Sequence, residues 1–132
     1  MIALDTNVVV RIVTGDDPDQ VAAALRVLRS ERLWLSKTVL LETEWVLRYS
    51  YRLGRATIAE ALGKALGYRK MEVEDRGAVL RALDWYLRGM DFADALHLAS
   101  SLPGETFLTF DQRLATSAER LEASPAVELL GT

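Results

Sequence analysis

The chain has no cysteine, which excludes disulfides and thiolate-held metals and fits a reducing cytoplasm. It has no long apolar run. Arg11 interrupts the stretch Val8-Val9-Val10-Arg11-Ile12-Val13, so no segment is expected to span a bilayer. The opening Met1-Ile2-Ala3-Leu4-Asp5 lacks a basic stretch and an extended apolar segment, so no signal peptide is expected. Nor is there an excess of positive charge. A formal net charge of −3 argues against a protein that coats nucleic acid non-specifically. It leaves room for an enzyme that touches RNA locally through a site carrying several carboxylates. Repeats, low-complexity tracts and linkers are absent as well.

What is present suits one compact domain over residues 1–132: half the residues are apolar, enough for a real core. Short apolar runs predict strands at Met1–Leu4, Arg32–Leu35, Met71–Val73, Thr106–Thr109 and Ala126–Leu130. Helical spacing predicts helices at Asn7–Val13, Asp19–Ser30, Lys37–Leu53, Ala56–Gly67, Glu74–Arg88, Phe92–Leu102 and Gln112–Leu121. Gly15-Asp16-Asp17-Pro18 reads as a turn with Pro18 in the first turn of the next helix. Gly54 and Gly89 read as helix stops. Strands alternating with helices predict an α/β fold, a parallel sheet flanked by helices on both faces.

Four acids stand where such a sheet concentrates function. Asp5 and Asp111 each follow a short apolar strand, and parallel sheets bind ligands beyond the carboxyl ends of their strands. Each acid equally suits a helix N-cap. At the first junction Thr6 and Asn7 offer alternative caps, which releases Asp5. On the Lys37–Leu53 helix, Glu42 lies on a stripe with Val39, Val46, Tyr49 and Leu53, where a carboxylate is costly to bury without a partner. A buried ion pair with an arginine is the structural alternative. Glu44, about 200° round the helix, reads as a solvated residue paired with Arg48. Asp91 reads as an N-cap, and Asp94 sits one turn further on; a purely structural role through the helix dipole is available to both.

The single histidine, His97, reads as a packed helix residue rather than a general base. Val79, Leu80, Leu83 and Leu87 are expected inward, with Trp85 partly exposed.

Crowded carboxylates either take raised pKa values or bind a cation, and oxygen-only ligands suit Mg²⁺ or Mn²⁺. That chemistry breaks phosphodiester bonds, so a metal-dependent nuclease is the leading expectation. Arg11, Arg48, Arg52 and Arg113 are candidates for holding an RNA backbone.

Leu4-Asp5-Thr6-Asn7, Leu41-Glu42 continuing to Trp45-Val46-Leu47, Phe92-Ala93-Asp94-Ala95-Leu96-His97-Leu98-Ala99 and Leu108-Thr109-Phe110-Asp111 together resemble the PIN-domain ribonucleases. In length and motif order the chain looks most like the VapC-like toxins of toxin–antitoxin pairs. The resemblance implies an Mg²⁺- or Mn²⁺-dependent endoribonuclease. Its acidic site and metal ligands would be Asp5, Glu42, Asp94 and Asp111, with Thr6 or Thr109 hydrogen-bonding nearby and Asp91 a lesser candidate. It also implies a homodimer inhibited by a small cognate antitoxin.

Two other classes fit parts of the pattern. An aspartyl-nucleophile phosphatase would carry Asp-x-Asp after the first strand, but here the second position is Asn7. A non-catalytic interaction domain would have no need of all four acids.

Overall fold

A computed structural model describes residues 1–29 and 31–131. The chain separates into two compact units, Met1–Arg76 and Gly77–Thr132.

The first unit is built on a three-stranded sheet. Its strands are β1 (Ile2–Ala3), β2 (Leu33–Leu35) and β3 (Met71–Val73), in that spatial order. Both pairings are parallel, with Ile2 opposite Leu33 and Leu33 opposite Met71. Parallel neighbours require crossovers. These are supplied by α1 (Thr6–Thr14) and α2 (Pro18–Leu28), then by α3 (Lys37–Tyr49) and α4 (Arg55–Leu66). Central β2 is the most enclosed strand, and Leu33 and Leu35 have no exposed surface. Edge strand β1 is the opposite: Ile2 and Ala3 are exposed and Leu4 is buried, so the strand is less enclosed than expected.

The second unit carries α5 (Arg76–Leu87), α6 (Phe92–Ala99), β4 (Thr106–Thr109), α7 (Gln112–Leu121) and β5 (Ala126–Leu129). Strands β4 and β5 pair in parallel, Thr106 opposite Ala126, and α7 makes the crossover. Phe92 and Tyr86 meet edge to face at 5.3 Å in its core. The fold class is thus α/β with parallel strands in both sheets, as the alternation predicts. Among the described residues no helix is long and apolar enough to cross a membrane.

Several boundaries moved for local reasons. The second helix ends at Leu28, and the expected bound at Ser30 lies outside the described residues. Asp17 caps that helix through Gln20 N–H at 3.1 Å, with Pro18 at its start. Helix α3 stops at Tyr49, not Leu53. Tyr51 and Leu53 bond back to the carbonyls of Val46 and Leu47, and Arg52 takes a left-handed φ of 54°. A non-glycine residue therefore makes the turn, and Gly54 becomes the N-cap of α4.

The largest correction concerns the phase of α3. Its buried face is Leu40, Thr43, Glu44 and Leu47, while Glu42 is exposed. Both this set and the Val39/Glu42/Val46/Tyr49 set have helical spacing, because apolar residues surround the helix. Spacing alone does not choose between them. Trp45 and Tyr49 are more than half exposed and stack at 5.0 Å between centroids. Glu44 is 1% exposed, and Arg48 grips it twice, Nε to Oε2 at 2.8 Å and Nη2 to Oε1 at 3.2 Å. The pair was expected; its burial was not. A fork-shaped guanidinium satisfies both carboxylate oxygens, which makes burial of the charge tolerable.

Helix α5 is shifted in the same way. It buries Ala78, Val79, Ala82, Trp85 and Tyr86 and leaves Leu80 and Leu87 about half exposed. Trp85, expected to be partly exposed, is inside.

Removing Glu44 should therefore be costly. Glu44→Ala is expected to destabilise the fold by about 2–4 kcal/mol, the low side of a fully buried pair because Arg48 is partly solvated. Glu42→Ala should change stability by no more than about 0.5 kcal/mol. Urea unfolding of both variants checks the helix phase; equal midpoints would contradict it.

Candidate metal and nucleic-acid site

The two units each hold part of the acidic set. In the first, Asp5 ends the β1 segment and is the N-cap of α1, which starts at Thr6. Neither Thr6 nor Asn7 takes the cap. Asp5 Oδ1 accepts the Thr6 N–H at 2.7 Å, and its Oδ2 makes no hydrogen bond among the described residues. Glu42 projects from the exposed side of α3 into the cavity that Asp5 lines, about 450 Å³ in volume. The two are brought together by the packing of α1 on α3. The phase that removes Glu42 from the core thus opens it to a ligand. Thr6 is 5% exposed and is among the residues lining the same cavity; its Oγ1 is buried and has no partner among the described residues.

Arg11, Ser50 and Tyr51 complete the cavity wall. Tyr51 donates to Asp16 Oδ2 at 2.5 Å. That bond holds the Asp16 carboxyl below the usual carboxylate range; Thr14 and Arg11 act in the same sense, against desolvation. Sequence reasoning named Arg11 but missed Tyr51 and Asp16. Tyr51 lies beyond the end of α3, in a turn whose direction no periodicity reveals, and Asp16 read only as a turn residue.

In the second unit Asp111 is the N-cap of α7. Its Oδ1 accepts from Arg113 N–H at 2.9 Å and Leu114 N–H at 3.2 Å, and its Oδ2 makes no hydrogen bond among the described residues. Thr109 accepts the Asp111 N–H at 3.0 Å through its hydroxyl, which fixes the junction. Asp91 caps α6 by accepting the Asp94 N–H at 3.1 Å. Asp94 is half-buried in the first turn. Burial pushes its carboxyl above the usual range, and the charges of Asp91 and Asp111 push the same way, with His97 opposing. His97 is exposed, not packed as expected.

Asp5 and Asp111 both have a structural job as caps, so the capping alternative holds for them, but it occupies one oxygen of each. The donor set is all oxygen, hard and anionic, which fits a hard dication in its chemistry. Neither unit by itself, among the described residues, assembles three acidic or histidine side chains into a cation cage.

A profile of the PIN domain family matches residues 2–120. Comparison with curated proteins and with solved structures gives no match.

The crowding at Asp94 has a measurable consequence. Its folded pKa is raised, so between the ordinary carboxylate value and that raised value the folded state binds more protons than the unfolded one. Stability from this group is then lost as pH rises through the window. Asp94→Asn removes the effect. The melting temperature of the variant relative to wild type should climb as pH rises from about 4, with no metal added. A pH-independent difference would sink the crowding argument.

Proposed function

Because the chain belongs to the PIN domain family, whose members are in general metal-dependent nucleases, we propose that it is a divalent-cation-dependent endoribonuclease. The observation that carries this reading is the cavity in which Asp5 and Glu42 present carboxylates beside a buried, unpartnered Thr6 hydroxyl. Its volume suits a nucleotide. The crowded Asp91, Asp94 and Asp111 group supports it from the second unit.

Asp5, Glu42, Asp94 and Asp111 are the carboxylates we assign to holding Mg²⁺ or Mn²⁺. When bound, such an ion supplies charge stabilisation to a phosphate and lowers the pKa of an attacking water. The chain's own residues do the rest. Oδ1 of Asp5 and of Asp111 locks each carboxylate to a helix start, so the outer oxygens are held in place before a ligand arrives. Thr6 and Thr109 steady those two junctions. Single-stranded RNA is the substrate we assign, since its unstacked bases leave the backbone accessible.

We further propose that residues 1–132 act as one PIN-like domain, as the toxin of a two-protein pair in the cytoplasm. The motif order and the absence of cysteine support this. A small antitoxin would cover the acidic cavity with an arginine or lysine side chain. The exposed Trp45 and Tyr49 offer aromatic surface for that partner or for a second copy of the chain in a homodimer. The aspartyl-phosphatase alternative is not favoured.

Asp5→Asn and Asp94→Asn should each lower cleavage of single-stranded RNA by at least about a hundredfold, the scale on which one charge-stabilising group acts. The melt should stay cooperative. Cleavage by wild type should require Mg²⁺ or Mn²⁺ and stop with a chelator. At a hundred times its dissociation constant the ion should stabilise the fold by about 2.7 kcal/mol. Wild-type rates in either variant, or undiminished cleavage in chelator, would refute the assignment.

A further inference from the structure

Arg11 is held in an unusual way for an arginine at a cavity wall. Its Nε donates to Gln20 Oε1 at 2.7 Å. Its Nη1 donates to Tyr51 Oη at 3.0 Å and to Asp16 Oδ1 at 3.5 Å. Asp16 is itself fixed, by the Tyr51 hydroxyl at 2.5 Å and the Thr14 hydroxyl at 3.0 Å. The planar guanidinium is thus held through Nε and Nη1 by side chains from three places in the chain. Nη2 makes no hydrogen bond among the described residues. The side chain is 32% exposed, enough for a ligand to reach it.

Two other facts concern the same cavity. Thr6 Oγ1 is buried without a partner, and a buried hydroxyl normally has one. Asp5 and Glu42 line the same cavity as Thr6. Arg48, on α3, is engaged by Glu44 through two bonds.

We propose that this cavity is a phosphate subsite, in which Arg11 binds one phosphodiester of single-stranded RNA through Nη2. A charged N–H donor suits a phosphate oxygen, and an arginine already immobilised loses little entropy on binding. The clamp of Asp16, Gln20 and Tyr51 fixes the plane in which Nη2 donates. The role rests on the ribonuclease reading and names the residue that holds its substrate.

The test uses the full chain and a fluorescent single-stranded oligoribonucleotide. With Mn²⁺, Arg11→Gln should raise KM by about tenfold, one charge-assisted phosphate contact, and leave kcat within about threefold. Binding is then measured by anisotropy in an Asp94→Asn background over a range of KCl. Adding Arg11→Gln should reduce the slope of log affinity against log salt by about 0.7, one phosphate contact on a single strand. Arg11→Lys should keep the slope and recover part of the affinity. Tyr51→Phe should raise KM less than Arg11→Gln and leave the slope unchanged. An unchanged KM and slope in Arg11→Gln, with a cooperative melt, overturns the subsite. Should that variant not melt cooperatively, Arg11→Lys decides: wild-type affinity there overturns the need for a clamped guanidinium. If wild type cuts no RNA with either ion, the ribonuclease reading fails. The salt slope then still decides the subsite, a drop supporting it and no change overturning it.

Discussion

Parallel pairing is the constraint on which the rest of the molecule depends. Two strands that run the same way cannot be joined by a tight turn, so the chain must return through helices. Every strand then hands over to a following segment at the same edge of its sheet. In the first unit Asp5, Ser36 and Glu74 follow β1, β2 and β3. Ser36 caps α3 through the Val39 N–H, and Glu74 accepts the Lys37 N–H at 2.9 Å. In the second unit Asp111 follows β4. Polar residues gather at these edges because the first N–H groups of a helix need acceptors. A carboxylate recruited for that task has a second oxygen, and at Asp5 and Asp111 that oxygen is unspent. The geometry that starts the helices thus leaves one carboxylate oxygen open at each of these two junctions.

Helix α3 shows how packing divides two acids two residues apart. Glu44 turns inward and is neutralised by Arg48, whose guanidinium also lies 4.6 Å from the Tyr49 ring. Glu42 turns outward into the cavity of Asp5. Burying a charge requires a partner with matching geometry, and only Glu44 has an arginine four residues on. The outward acid lines that cavity and takes no part in the core. The inward one serves the fold. Charge crowding in the second unit works the other way. Asp94 is half-buried near Asp91 and Asp111, and burial first, then their charges, raise its carboxyl at a cost in stability.

Much of this was legible in the residues. Three elements, Met71–Val73, Thr106–Thr109 and Gln112–Leu121, have the bounds their patterns predict, since short apolar runs and an Asp cap leave little choice. The cap at Asp91 follows from local hydrogen bonding that needs no tertiary contact. Asp5 and Asp111 could be named as candidates because strand ends and helix starts are local signals. Helix phase was not legible in α3 or α5. Both carry apolar residues around most of their circumference, so two stripes of equal spacing compete. The winner is set by what each face meets.

The sequence by itself determined the alternation of strands and helices, the positions of the capping acids and the membership of the family. The first two depend on residues within a few positions of one another; the family shows in short motifs spread from Leu4 to Asp111. Tertiary structure alone decided that Glu44 is buried, that Trp85 is inside and Leu87 outside, and that His97 faces solvent. It also decided that Arg11, Asp16 and Tyr51 meet across as many as 40 positions. These outcomes turn on which surfaces approach in space and how well donors fit acceptors there, and no local spacing carries that information.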